Sequence, residues 1–353
     1  MLSSGVAAAA TLAPGCGDSA SESAPPEPWS PKIAQGVADL RPDTLRWIAQ
    51  MGLKHVALEE ADWVDREGKG YWSPEDIALV THSCSEHGLE LHSLMLPLDW
   101  LLSPMLALAD RDLAIGEVQR SIQTAGRAGV QVIEWRWSPD LIAGDAALYH
   151  DEPGRGGAVY RGFDDEAARS LPPLEALGEI SSDDLWDRLI YFAEPVAEAA
   201  QEVEVGLAVR PSAPPAESLR GVARVLTDIE SMEKLLDAVD IPTNGISFCQ
   251  RTVAAAGGDV LDVIRRLGAR ERIHHVRFGS ARGSMPQYIE TFIDDGDLDP
   301  LEAMRAYKEI NYVGSIVADR GPRLQGPFHP ERVGGAYSHG YLRGLIQAVR
   351  EPA

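Results

Sequence analysis

The chain has 353 residues, 44% hydrophobic and 24% charged, which suffices for a large core and fits one α/β barrel domain. Its 32 basic and 54 acidic residues give a formal net charge of −22. That argues against a nucleic-acid partner, which needs a basic stripe, and against docking on anionic lipid, and leaves a small molecule as the expected partner, an anionic one only where a local basic pocket overcomes the field. No apolar run is long enough to span a membrane, and Cys16, Cys84 and Cys249 form neither a CxxC pair nor an even framework, which argues against a disulfide scaffold or a zinc ribbon.

Residues 1–30 stand apart. An apolar stretch over 6–13 leads to Ala13-Pro14-Gly15-Cys16 and then to a Ser/Glu/Pro-rich tract. The order resembles the end of a bacterial export signal, a lipobox-like cysteine and a flexible tether, although no Lys or Arg precedes Lys32. The expectation is a cell-envelope or periplasmic protein with lipid attached at Cys16; the other reading is a cytosolic tail.

From residue 31 to 353, short β-branched or apolar runs alternate with amphipathic segments. The strands expected are 32–37, 53–58, 89–94, 130–137, 204–210, 244–250, 272–279 and 312–319. The clearest helices are 42–51, 73–87 (Ser73-Pro74-Glu75 as its start), 110–128, 182–202 and 301–309, with a last one over 340–350. Eight strands, each followed by a helix, predict a closed parallel (β/α)8 TIM barrel; no glycine-rich phosphate loop follows the first strand, so a dinucleotide fold is disfavoured. Residues 138–181, between the fourth strand and its helix, read as a lid or binding loop.

In such a barrel the chemistry sits at the C-terminal strand ends. Those ends carry Glu59, Glu60, Asp99, Glu134, Arg136, Arg210, Cys249, Arg277, Asp319 and Arg320. Trp135 and Trp137, alternating with Arg136, read as barrel–helix packing, while Trp72 and Trp100 are expected on the substrate side. The run 294–299 (DDGDLD) lacks the spacing of a calcium loop.

The second half resembles the mannonate dehydratases, a family related to xylose-isomerase-like barrels. The stretches that carry the resemblance are LAVRPSAPP (207–215), NGISFCQR (244–251), RIHHVRFG (272–279), DDGDLDPLEAM (294–304), VADRGPR (317–323) and SHGYLRGL (338–345). Weaker similarity covers 62–72, 94–102 and 132–141. The resemblance implies dehydration of a sugar acid such as D-mannonate to a 2-keto-3-deoxy sugar acid, on manganese or a similar divalent metal held by two histidines, a cysteine and an aspartate. The cysteine and aspartate match Cys249 and Asp319. Both histidine positions read as Arg210 and Arg277, and a third histidine that handles protons reads as Arg320; a catalytic tyrosine aligns poorly, near Val333.

A guanidinium has no lone pair to give a metal and stays protonated, so the family metal is expected to be lost, with no cofactor in its place. Two readings of the arginines stay open: an anion pocket for a carboxylate, with Arg136, Arg210 and Arg277 as substrate ligands, or internal ion pairs filling a former metal site. Glu134, Asp319 and Arg320 are the candidate catalytic groups. Cys249 reads as an inert core thiol rather than a reactive one, and His275 as a hydrogen-bonded core histidine rather than a displaced ligand. The function expected is a sugar-acid-acting barrel without the metal. The alternatives are a non-catalytic sugar-acid binder and a metal-dependent lyase or isomerase with a rearranged site. A homo-oligomer is also anticipated.

Overall fold

The computed structural model describes residues 29–319 and 321–350; Cys16 with its export-like segment and Arg320 lie outside the described residues. Eight parallel strands close into a barrel in the order β1-β8-β7-β6-β5-β4-β3-β2. They are β1 Lys32–Val37, β2 His55–Leu58, β3 Glu90–Met95, β4 Val132–Trp135, β5 Gly206–Val209, β6 Asn244–Cys249, β7 Ile273–Phe278 and β8 Ser315–Ala318. Seven fall inside the segments expected from the sequence, and β3 runs one residue past its own, to Met95. Strands such as VIEW and NGISFC are buried along their whole length, as parallel strands covered by helices must be.

The outer helices are α1 Pro42–Gln50, α2 Pro74–Ser85, α3 Arg111–Arg127, α4 Ser182–Gln201, α5 Ile229–Ala238, α6 Val260–Ala269, α7 Pro300–Glu309 and α8 Pro330–Arg350. Their starts follow from local chemistry. Ser73 and Asp76 form a capping box ahead of α2, with Pro74 in the first turn. Asp299 caps α7, with Pro300 inside it, so one aspartate of the 294–299 run serves a helix end. Trp135 and Trp137 do pack outward, against Phe192 of α4 at 5.2 and 5.1 Å. Trp72, by contrast, is fully buried, donates to Ala61 O and packs on Trp100 at 5.2 Å, so it belongs to the core and not to the substrate side.

The 138–181 segment is more ordered than a loop. It supplies strands Tyr149–Pro153 and Val159–Asp164, which pair antiparallel with each other, and the second extends the sheet onto a hairpin, Ser280–Ser284 and Gln287–Thr291, that follows β7. Phe163 and Tyr288 face each other at 5.4 Å inside this four-stranded sheet. It abuts the short helix Gln250–Ala255 after β6, through Met285 N–H to Ala255 O at 2.7 Å. The sheet therefore rests on the C-terminal end of the barrel.

Candidate functional site

Inside a TIM barrel the layers are usually bulky and branched. Here Ala34, Ala57, Ala208, Ser247 and Ser315, all fully buried, form small layers that leave room for charge above them. Gly36 shows how tight that room is: a Cβ there would lie 2.3 Å from Glu59 Oε1.

Glu134, fully buried on β4, accepts from Arg210 Nε at 2.9 Å and from Ser247 Oγ at 2.9 Å. Arg277 on β7 donates to Glu59 Oε1 at 2.5 Å and lies 3.6 Å from Glu134 Oε2 and 3.5 Å from Asp319 Oδ1. Arg210 also approaches Glu59, at 3.8 Å. Burial alone would raise both glutamates, but Arg277 and Arg210 outweigh it, holding Glu59 below the usual carboxylate range and Glu134 well below it. Arg277 is likewise raised: burial opposes the charge, and Glu59, Asp319 and Glu134 more than restore it.

His275 lies one layer down, with no exposure. Its Nδ1 is 2.7 Å from Ser315 Oγ and its Nε2 3.6 Å from Glu134 Oε1. Burial pushes it down to about 4, so it is neutral at pH 7. Cys249 donates to Asp319 Oδ2 at 3.4 Å and accepts from Thr252 Oγ1 at 3.1 Å. Burial and Asp319 push its thiol up, away from the thiolate. His339 is buried against Trp47, a packing residue. Val333, where the resemblance placed a tyrosine, is an exposed residue of α8.

Sequence reading missed Arg251, although it stands in the NGISFCQR stretch. It pairs with Asp319 at 2.9 Å and with Glu290 of the antiparallel sheet at 3.1 Å, and Arg161 reaches the same Glu290 at 3.5 Å. A run of alternating charges thus ties the sheet to the barrel centre. The sequence signal was weak because Glu290 and Arg161 come from two distant segments whose pairing only the sheet creates.

Arg136 differs from these arginines. Among the described residues it makes no ion pair, and it lines a mouth cavity of about 230 Å³ together with Glu59, Glu60, Asp62 and Asp99. Burial, with Arg210 and Arg277 nearby, pushes it down to about 10, which still leaves it charged at pH 7. So the structure brings Glu134, Arg136, Arg210, Cys249, Arg277 and Asp319 to one end of the barrel.

As for a metal, Cys249 and Asp319 are neighbours, but the same carboxylate already faces the guanidiniums of Arg251 and Arg277. Among the described residues, no group of three His, Cys, Asp or Glu side chains is set to hold a metal ion. Cys249 and Asp319 are the two donors brought together there, beside the guanidiniums of Arg251 and Arg277.

Fold and site together define a (β/α)8 barrel with a polar mouth. Against solved structures, the chain overlays a mannonate dehydratase from Streptococcus suis serotype 2 with a TM-score of 0.80 at 24% identity, covering 90% of this chain and 94% of that one. A xylose isomerase domain protein from Planctomyces limnophilus gives 0.58 at 13% identity, over 91% and 98%. In sequence, mannonate dehydratase 2 of Halalkalibacterium halodurans is 26% identical over 312 residues, 79% of this chain and 88% of that protein. Mannonate dehydratase of Thermotoga maritima is 28% identical over 316 residues, 79% and 86%. The family described as D-mannonate dehydratase (UxuA) matches residues 161–353, more than half of the chain, and the chain belongs to that family.

Proposed function

We propose that this protein binds a sugar acid at its barrel mouth and works there without a divalent metal. The observation that carries the reading is Arg277, a fixed cation set among Glu59, Glu134 and Asp319 at the position where the family resemblance calls for a metal-ligating histidine. A guanidinium neutralises that carboxylate cluster but offers no open coordination position to a substrate.

Arg136 is the group that takes the substrate carboxylate in this proposal, since its fork is not engaged by a described carboxylate and faces the cavity. Glu60, Asp62 and Asp99 line the same cavity as acceptors for sugar hydroxyls. Arg210 and Arg277, paired with Glu59 of the cavity wall, contribute positive field. For turnover, Glu134 and Asp319 are the proton acceptors assigned, with Arg320 as a further cation for the developing charge. A second reading, binding without turnover, is favoured by one fact: Glu134 is held ionised so far down the scale that it is a weak base. Export with lipid attachment at Cys16, and self-association, belong to the proposal too, checked by membrane fractionation with lipid labelling and by sedimentation.

The deciding experiment is elemental analysis of protein purified without chelator, then thermal-shift titration with manganese and with D-mannonate, and an assay for a 2-keto-3-deoxy product. Stoichiometric metal with manganese-dependent stabilisation would sink the proposal. Stabilisation by D-mannonate without metal, lost in Arg136→Ala, supports it; product formation then separates turnover from binding alone.

A further inference from the structure

The opposite end of the barrel holds a second cavity, of about 370 Å³, where β1 and β2 begin and α8 ends. Lys32 and Lys54 reach it from the strand starts, and Arg343 and Arg350 from α8. On that helix Arg343, Ile346, Gln347 and Arg350 stand at i, i+3, i+4 and i+7, a single stripe facing the cavity. Among the described residues, no Asp or Glu lines it. Among the described residues, none of the four cations forms an ion pair; Glu90 lies 3.5 Å from the His55 ring and is largely exposed.

The cations are held over the cavity by bonds that leave donors unused. Arg343 Nη2 donates to Gly52 O at 2.7 Å, Arg350 Nε to Trp29 O at 2.5 Å, and Lys32 Nζ to Gln131 Oε1 at 2.6 Å. Gly52 has φ +68, and a Cβ on it would come within 3.3 Å of Arg343 Nη2, so the glycine makes both the turn and the space for the guanidinium. Four like charges gathered without a described counter-charge repel one another, and the arrangement gains most from an anion carrying more than one negative charge or several acceptor oxygens. A lone carboxylate would leave most of this charge unmatched.

We propose that this cavity is a binding site for a phosphate group, borne either by a soluble phosphomonoester or by an anionic phospholipid headgroup. It is independent of the mouth and of the function proposed there.

The test is calorimetric titration of the full chain with inorganic phosphate and pyrophosphate at constant ionic strength, comparing the native protein with Lys54→Glu, Arg343→Gln and Arg136→Ala. Flotation with phosphatidylglycerol and with phosphatidylcholine vesicles runs alongside. The expected result is phosphate binding that weakens roughly tenfold or more in Lys54→Glu and Arg343→Gln, the scale of one lost charge-assisted bond, and is unchanged in Arg136→Ala. Flotation with phosphatidylglycerol vesicles alone, abolished by Lys54→Glu, assigns the headgroup as the source; phosphate binding without flotation assigns the soluble ester. Lys54 is exposed, so its variant keeps the fold, checked by circular dichroism. Absence of both phosphate binding and flotation in the native protein overturns the proposal, as does phosphate affinity equal in the native protein and both pocket variants.

Discussion

The two ends of this barrel treat positive charge in opposite ways. At the mouth, Arg277 is buried and Arg210 nearly so, and they are locked onto Glu59 and Glu134. At the other end Lys32, Lys54, Arg343 and Arg350 stand without described carboxylates, partly open to water. Solvation explains the difference. A charge taken out of water costs several kcal/mol unless a partner replaces the lost hydration, whereas an exposed cation needs no partner. Paired charge therefore marks structure, and unpaired charge marks where an anion can still be received. By that criterion Arg136 groups with the far end rather than with its neighbours.

The comparison breaks first at Arg277. Its removal in Arg277→Ala leaves Glu59, Glu134 and Asp319 facing one another with less counter-charge, and the expected cost is about 3–5 kcal/mol of stability, read from urea unfolding. Lys54→Ala is expected to change stability by less than about 0.5 kcal/mol. Equal costs at the two sites would end the distinction. A gain-of-ligand variant sharpens it: Arg210→His with Arg277→His returns two lone pairs beside Cys249 and Asp319, and manganese is expected to bind at one equivalent and raise Tm, where it leaves the native protein unaffected.

Acid is the next largest effect. Burial pushes His92 down to about 3 and both His275 and His339 to about 4. In the unfolded chain each titrates near 6.5. Below that pH the unfolded state takes up protons the fold refuses, so stability falls as pH drops, by up to about 1.4 kcal/mol per pH unit for each histidine, until the folded values are reached. Glu59 and Glu134, depressed by their arginines, contribute in the opposite half of the scale: their share is present above the ordinary carboxylate range and is lost only as pH falls through it. Tm followed from about pH 7 to about pH 4 should thus decline early and steepen late; a flat profile down to about pH 5 would mean these imidazoles are not buried neutral.

Much of the barrel was legible because its signals are local. Buried runs such as NGISFC and VIEW announce parallel strands, and Ser73-Pro74 announces a helix start. The antiparallel sheet was not, because Tyr149–Pro153 and Val159–Asp164 are short and polar and are held by a hairpin more than a hundred residues away. At the site, position at the strand ends brought Glu134 and Asp319 into view, and the family resemblance implied the three arginine substitutions. What it did not give was the sorting of the arginines. Arg136 and Arg210 are both arginines at strand ends, and only the side-chain geometry separates a guanidinium engaged by Glu134 from one facing a cavity.

The same rule divides two arginines that meet the antiparallel sheet at different depths, and here the expected effects are smallest and most discriminating. Arg251 is nearly buried and bridges Asp319 to Glu290. Arg323 pairs with Asp151 at 2.5 Å on the outside, where their side chains are 65% and 69% exposed. Arg251→Ala is expected to cost a few kcal/mol, because two buried carboxylates lose their shared cation. Arg323→Ala is expected to cost less than about 0.5 kcal/mol despite the shorter contact, since water screens that pair and either side chain regains freedom on release. The backbone bridge between Val159 and Arg323, 2.9 Å in each direction, survives the substitution and keeps the segment in place. Should Arg323→Ala prove as costly as Arg251→Ala, contact distance rather than burial would govern these pairs, and the sorting of Arg136 from Arg277 would lose its physical basis.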